Sequence, residues 1–451
     1  MLREKVRSFL GFPPRPDVPG PNSIVLCADA MVRRPLEFLT EISKEHGDVV
    51  RFPLLQNEVF LFNHPDAIEE LVVARKDLLV KDWLTRELGV IVGKGLLLSE
   101  GALWKKQRRL VQPGFHRERI AAYADVMVRY AERATEEWTD GETRDVHVDL
   151  MRLTLDIVAK TLFGVEVTAV ARRVERCLEV LAERFSGISA IIPLSVPIPQ
   201  NFRTKKAIAE LDEIIYGIIR ERRARTDGGD LVSMLIDASE GEDSVMDDRQ
   251  LRDEAITLLL AGHETTALSL GYALHLLGRH PLALAKLRNE VASVLGDRPA
   301  TAADVSALKY TDAVIRESMR LYPPAWAIGR EATQPLSVAG IDVEKGAQLW
   351  AAQWVVHRDP RWFPEPERFD PERWLTGPAV PKHAYFPFGG GPRVCIGNAF
   401  ATMEMVLVLV TIARRFDLSP EAEPKLVPSV TLRPKGGLPM QVRRRSDTIA
   451  T

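Results

Sequence analysis

Apolar residues recur at a spacing near 3.6 along most of the chain, and that period predicts a mainly helical fold. The clearest runs are 114–139, 146–163, 171–185, 202–225 and 247–279. Pro281 is placed to open a further helix in its first turn. Residues 311–321 and 398–415 carry the same period. Near the start, 36–45 reads as a short helix stopped by Gly47. Runs 49–54 and 58–62 have the length and spacing of hairpin strands. From about Ser337 the pattern breaks into prolines and short strands. The closing stretch, 429–442, reads as a hairpin turning at Lys435-Gly436-Gly437. The expected class is mainly α with small β-sheets (α+β). No repeat, low-complexity tract or linker divides the sequence, so 1–451 reads as one domain with a stiff, Pro-rich lead-in at 1–21.

Composition narrows the class further. The chain has 451 residues and 46% apolar residues, ordinary for a globular protein. Sixty Lys and Arg against 62 Asp and Glu give a net charge of −2, with no basic excess to suggest nucleic acid. Three distant cysteines, Cys27, Cys177 and Cys395, argue against a disulfide framework and fit a reducing, cytoplasmic setting. No segment reaches the ~20 apolar residues of a membrane span, and the charged N-terminus does not read as a signal peptide.

One segment changes the picture. Residues 386–397 read Phe-Pro-Phe-Gly-Gly-Gly-Pro-Arg-Val-Cys-Ile-Gly and lead into the apolar run at 398–415. Glycines let backbone amides turn toward a sulfur. The helix N-terminus that follows favours negative charge and is expected to lower the Cys395 pKa. A lone Cys at the end of such a loop suits a thiolate held against a haem iron, where it favours O–O cleavage. Phe388, Gly391, Arg393, Cys395 and Gly397 together resemble the haem-thiolate signature of the cytochrome P450 family, without departure. The resemblance spans essentially the whole chain. It implies the P450 fold, with a long central distal helix and a Cys-ligand loop before a proximal helix. It also implies haem b with Cys395 as the axial metal ligand, Phe388 covering the ring and Arg393 at a propionate.

A second segment lies in the middle of the longest helical run. Ala261-Gly262-His263-Glu264-Thr265-Thr266 puts a glycine, worth about 1 kcal/mol against alanine, inside a helix. Threonines there can bond back to the i−4 carbonyl, and together these features predict a kink or groove. Alone, the run also reads as a surface Glu beside threonines. It resembles the family's distal-helix motif. That implies room for O2 at Ala261 and Gly262, a hydrogen bond to dioxygen from Thr265, and proton relay by Glu264. His263 reads as helix surface or structural.

Glu317 and Arg320 share a helix face at i, i+3, normally a weak surface pair. The Tyr322-Pro323-Pro324 and Pro366-Glu367-Arg368-Phe369 stretches beyond them resemble the family's Glu-x-x-Arg helix and its partner arginine. A Glu317–Arg320–Arg368 network fixing the Cys395 loop is implied. Trp104 and Arg108, spaced Trp-x-x-x-Arg, match family positions at the haem propionates, as does Arg330. Arg108 also reads as part of a solvated basic cluster with Lys105, Lys106 and Arg109. The resemblance turns that cluster toward an acidic electron donor.

Family topology places the pocket at Leu96, Leu97, Ile191, Ile192, Leu258, Ala261, Ala325, Trp326, Ile328, Val430 and Leu432. Nearly all are apolar, which implies a lipophilic substrate such as a terpenoid, fatty acid, steroid or polyketide. The implied activity is O2-dependent monooxygenation, by hydroxylation or epoxidation. No Gly-x-Gly-x-x-Gly fingerprint, flavin domain or iron–sulfur Cys cluster is visible. Electrons are therefore expected from NAD(P)H only indirectly, through a ferredoxin and its reductase or a flavodoxin-type donor. A peroxide-driven peroxygenase and a non-catalytic haem sensor or carrier are the alternatives. Retention of Glu264 and Thr265 argues against both.

Overall fold

The computed structural model describes residues 18–166, 171–185, 189, 192, 194–224, 230–239 and 246–445. Ile191 and most of the lead-in at 1–21 lie outside them.

Helices dominate, as the 3.6 period predicts. Val146–Phe163 and Asn398–Arg415 form with the predicted bounds, and Asp248–Arg279 forms as one uninterrupted 32-residue helix. Asp247 caps the last of these by accepting the Gln250 N–H at 2.6 Å. Its interior is almost wholly buried, so it is the axis of the main core. Helices Val146–Phe163, Lys309–Leu321 and Asn398–Arg415 all pack against it.

The predicted helix at 114–139 is broken. A short 3-10 turn, Gln112–Phe115, is followed by Arg117–Ala122 and Ala124–Glu136. His116 is extended between the first two. Tertiary packing overrides the helical period: Phe115 and Tyr123 both turn their rings onto Phe400 of the helix that follows Cys395.

The β structure lies to one side. Val49–Leu54 and Asn57–Phe62 make the predicted hairpin, with Leu54 opposite Asn57. The sheet continues through Gln348–Ala351, Ile328–Ala332 and Leu79–Lys81. Alternation along 59–62 feeds two apolar clusters, Phe60 and Phe62 on one face, Val59 and Leu61 on the other.

The predicted hairpin at 429–442 does not form. Leu432–Pro434 pairs with Leu426–Pro428, whereas Pro439–Arg444 joins Phe416–Pro420 and Thr143–Asp145. The turn between them is seized by Asp145, whose Oδ1 accepts the Leu438 N–H at 2.9 Å. A Cβ on Gly437, at φ +79°, would fall 1.8 Å from that carboxylate. The glycines therefore turn the chain from one sheet into another.

Candidate haem-thiolate site

Cys395 is the one exposed cysteine of three; Cys27 and Cys177 are buried free thiols. Its N–H donates to the Phe388 carbonyl at 3.0 Å, closing the loop on itself. Gly391 sits at φ +64°, and a Cβ there would lie 1.9 Å from the Val72 carbonyl oxygen, so only glycine fits. Gly397 has an ordinary φ of −86°. Its N–H hydrogen-bonds the sulfur. Phe388 is half-buried against the main core.

The thiol pKa differs from the sequence expectation. Although part of its surface is open, Cys395 lies deep among protein atoms, and that desolvation pushes the thiol up, with the Gly397 N–H and the Arg108 charge pulling it down by less. A bound metal cation would favour the thiolate at this position.

Arg108 reaches the same loop, donating from Nη1 to the Val394 carbonyl at 2.9 Å. Arg393 lies over the Trp104 ring, 4.5 Å from its centroid, and pairs with Glu100. Arg330 donates only to the neighbouring Gly329 carbonyl, at 2.8 Å. The sequence reading missed Lys81. It stands opposite Arg330 in the strand register, and its N–H donates to Glu100 at 2.9 Å. Burial, then the charges of Arg330 and Arg393, push its pKa well below the ordinary value against Glu100 and Asp82. Lys81, Arg330 and Arg393 thus surround Glu100, and Asp82 is occupied in capping Thr85. The Arg393 Nη1 is buried without a partner. Such a cation excess with an orphaned donor fits an acidic group such as a pair of propionates.

On the long helix, Ala261 is exposed in the middle of an otherwise buried element, with Gly262, Glu264 and Thr265 partly so. No kink forms. The Thr265, Thr266 and Ser269 hydroxyls each donate to the i−4 carbonyl at 2.9 Å without breaking the helix. Gly262 also serves packing. A Cβ there would meet Val158 Cγ2 at 3.1 Å, so its small size lets helix Val146–Phe163 approach. His263 is a core residue, 1% exposed. Burial raises the Glu264 pKa, but the Arg433 charge, with hydrogen bonds from Arg433 and Thr431, more than offsets it and holds the carboxyl low.

Glu317 and Arg320 are both fully buried and form a bidentate pair at 2.8 and 2.9 Å. Arg368 is not the third member: its side chain is exposed and pairs with Glu365. Only its carbonyl takes part, accepting Arg320 Nη2 at 3.1 Å. The second guanidinium is that of Arg373, with Nε 2.9 Å from Glu317. Arg373 lies on the 3-10 turn Pro371–Trp374, beside Trp374, whose Nε1 also donates to Glu317 at 2.9 Å. That turn packs on Lys309–Leu321, whereas the Arg368 side chain is exposed. The network reaches the Cys395 loop in two steps. Arg320 donates to the His357 carbonyl at 2.9 Å, and His357 Nε2 accepts the Phe386 N–H at 3.0 Å.

A cavity of about 200 Å³ collects Ile328, Val430 and Trp326 with Trp83, Leu88 and Phe185. Leu97, Leu258, Ala261 and Ala325 do not line it. Leu96, Leu258 and Leu432 are core residues. Trp326 is fixed by its Nε1–H to the Ser429 carbonyl, 2.8 Å.

An exposed cysteine in a glycine loop, a cation nest and a threonine–glutamate pair on the packed helix define a haem-thiolate protein. The sequence profile for "Cytochrome P450" matches residues 14–439. "Cyclooctatin synthase" of Streptomyces melanosporofaciens is 37% identical, over 92% of each chain. "Cyclooctat-9-en-7-ol 5-monooxygenase" of the same organism is 35% identical, over 93% of this chain and 92% of its own. "Pentalenene oxygenase" of Streptomyces avermitilis is 31% identical, over 92% and 94%. The chain belongs to the cytochrome P450 family and is a P450 monooxygenase. The family binds haem b through a cysteine thiolate and receives electrons through redox partners. Among the described residues no helix is long and apolar enough to cross a membrane.

Proposed function

We propose that this P450 oxygenates a terpenoid, with Cys395 as the haem ligand and residues 1–451 acting as one unit. The observation that supports a lipophilic substrate is the position of the apolar cavity. Ile328 and Gly329 on its wall directly precede Arg330 of the cation nest. Val430, also on the wall, directly precedes Thr431, which hydrogen-bonds Glu264. Substrate space, cofactor anchor and acid are thus joined through consecutive residues. The relatives' names point to the same class. Bound haem would supply activation of O2. Arg393, Arg330, Lys81 and Arg108 would hold its acidic edge, with Trp104 seating Arg393. Thr265 orients dioxygen, Glu264 delivers protons, and the apolar wall excludes water from the substrate carbon.

Cyclooctat-9-en-7-ol is the first probe. It is expected to shift the Soret band as water leaves the iron and to gain one oxygen under O2 with a ferredoxin, its reductase and NAD(P)H. A steroid or fatty acid that binds and turns over in its place would move the substrate class.

The electron donor proposed is an acidic ferredoxin or flavodoxin-type protein in a reducing cytoplasm, consistent with the buried free thiols of Cys27 and Cys177. Lys105, Lys106 and Arg109 are exposed on the helix whose Arg108 touches the Cys395 loop. Charged rims set association rate, and salt screens them over about 8–10 Å. Lys105→Glu with Lys106→Glu is expected to slow reduction by the ferredoxin, less so as ionic strength rises, with substrate affinity unchanged. Stopped-flow reduction against spectral titration measures both. Lost substrate affinity at a constant reduction rate would place the docking face elsewhere.

A further inference from the structure

Three indoles meet at the apolar cavity: Trp83, Trp326 and Trp350 all line it. They come from separate elements. Trp350 lies in the strand Gln348–Ala351 and is 3% exposed. Trp326 stands two residues before the strand Ile328–Ala332. The half-buried Trp83 opens the short helix Trp83–Arg86, directly after Asp82.

Strand geometry sets Trp83 beside Trp350. Gln348 and Trp350 are two apart on one strand and share a face. From that face Gln348 Oε1 accepts the Trp83 backbone N–H at 3.2 Å. Gly329 stands opposite Trp350 in the register, so a side chain there would project on the same face. A Cβ on Gly329 would fall 2.3 Å from the Asp82 Cγ, so its absence makes room for Asp82 and, with it, Trp83.

The three indole N–H groups differ in what they meet. Trp326 Nε1 donates to the Ser429 carbonyl at 2.8 Å. The Trp83 and Trp350 Nε1 atoms are buried and have no acceptor in the protein. A buried N–H is normally paired, with protein, ordered water or a ligand. Other polar groups of the wall are engaged elsewhere. Asp82 Oδ1 accepts the Thr85 N–H at 3.3 Å, and the Ser429 hydroxyl donates to the Ala182 and Phe185 carbonyls at 3.3 and 3.2 Å. Among the described residues no Lys, Arg or His lines the cavity, whereas Asp82 does. A carboxylate placed there would meet an acid with no cation to offset it; a neutral oxygen would not.

We propose that Trp83 and Trp350 are specificity-determining residues that donate their indole N–H groups to an oxygen the substrate already carries, so that the substrate is a neutral terpenoid alcohol or ketone and not a hydrocarbon. This rests on the terpenoid reading and deepens it. The substrate is then supplied by a reaction that has already fixed an oxygen: a terpene cyclisation whose final cation is captured by water, or an earlier O2-dependent hydroxylation. Neither Leu258 nor Ala261 of the long helix lines the cavity, so the oxygen already present is held apart from the Ala261–Thr265 surface.

The test uses the haem-loaded protein and two ligands: cyclooctat-9-en-7-ol and its deoxy analogue, with hydrogen in place of the hydroxyl. Nitrogen-15 NMR of the indole N–H groups, in the diamagnetic ferrous carbon monoxide complex, reads the contact directly. Trp83→Phe and Trp350→Phe assign the two signals, each by its loss. Both signals are expected to move downfield with the alcohol and to stay in place with the hydrocarbon. Soret titration is expected to show wild type preferring the alcohol by about 2–10-fold for each N–H donated, the worth of a neutral hydrogen bond. The two Phe variants keep an aromatic ring but no donor, so each should lose its share of that preference while hydrocarbon affinity holds. Trp83→Phe, at the less buried position, decides the matter if Trp350→Phe does not fold. Indole signals that ignore bound alcohol, or that move equally with both ligands, overturn the proposal, as does a full preference surviving in folded Trp83→Phe. Binding of neither ligand, with a steroid or fatty acid bound instead, sinks the terpenoid reading itself, and the proposal with it.

Discussion

Glu317→Ala is expected to leave the chain unable to hold the Cys395 loop, and with it haem. The substitution strands two guanidinium groups in the core, Arg320 with no accessible side-chain surface and Arg373 with 10%. It also removes the acceptor of the Trp374 Nε1–H and of the Asp370 N–H. Removing one partner of a buried ion pair costs about 3–5 kcal/mol. Domain stabilities are only about 5–15 kcal/mol. The damage runs through Arg320 and His357 to the Phe386 N–H, at the entrance of the loop. Arg368→Ala is the contrast, because its exposed side chain pairs only with Glu365 and should change stability by less than about 0.5 kcal/mol. Thermal unfolding and haem content of the two variants, side by side, check the assignment. Equal damage from Arg368→Ala would restore it to the network in place of Arg373.

Thr265→Ala should still oxidise reduced cofactor, but its two electrons should leave on O2, with two protons, as hydrogen peroxide in place of product. The Thr265 hydroxyl donates to the Ala261 carbonyl at 2.9 Å, one turn back, beside the exposed Ala261 surface. That internal bond orients the oxygen while leaving it able to exchange partners at the helix surface. Loss of a proton-transfer group costs about 10²–10⁴-fold. Product per electron is therefore expected to fall by about that factor, with substrate affinity little changed. Thr265→Ser, keeping a hydroxyl, should recover much of it. Peroxide and product measured per NAD(P)H oxidised separate the outcomes; equal coupling in wild type and Thr265→Ala would show that the helix motif does something else.

What was legible in the sequence is what depends on local order. The Asn398–Arg415 helix follows from its apolar period, and the Phe388–Gly397 spacing carries the cofactor loop. The Glu317–Arg320 pair follows from i, i+3 geometry. The misread parts depend on partners distant in sequence. Residues 429–442 resemble a hairpin locally, but Asp145, nearly 300 residues earlier, takes the turn. Arg373 and Arg368 both lie in an irregular stretch where spacing gives no direction, and packing on Lys309–Leu321 selects the former. Lys81 and Glu100 have no motif of their own; strand register sets Lys81 opposite Arg330. A single Glu four residues before Trp104 and a Lys at a strand end were the available signals. That Gly262 lets the Val146–Phe163 helix approach was not legible, because sequence cannot say which side of the helix faces Val158.

The central claim is that Cys395 is the thiolate that binds iron, and the spectrum of the ferrous protein under carbon monoxide tests it most directly. Wild type, Cys27→Ser and Cys177→Ser should all show the red-shifted Soret band of thiolate ligation, since both of those thiols are buried away from the loop. Cys395→His should lose that band while still able to bind haem through imidazole. A red-shifted band that persists in Cys395→His would contradict the account.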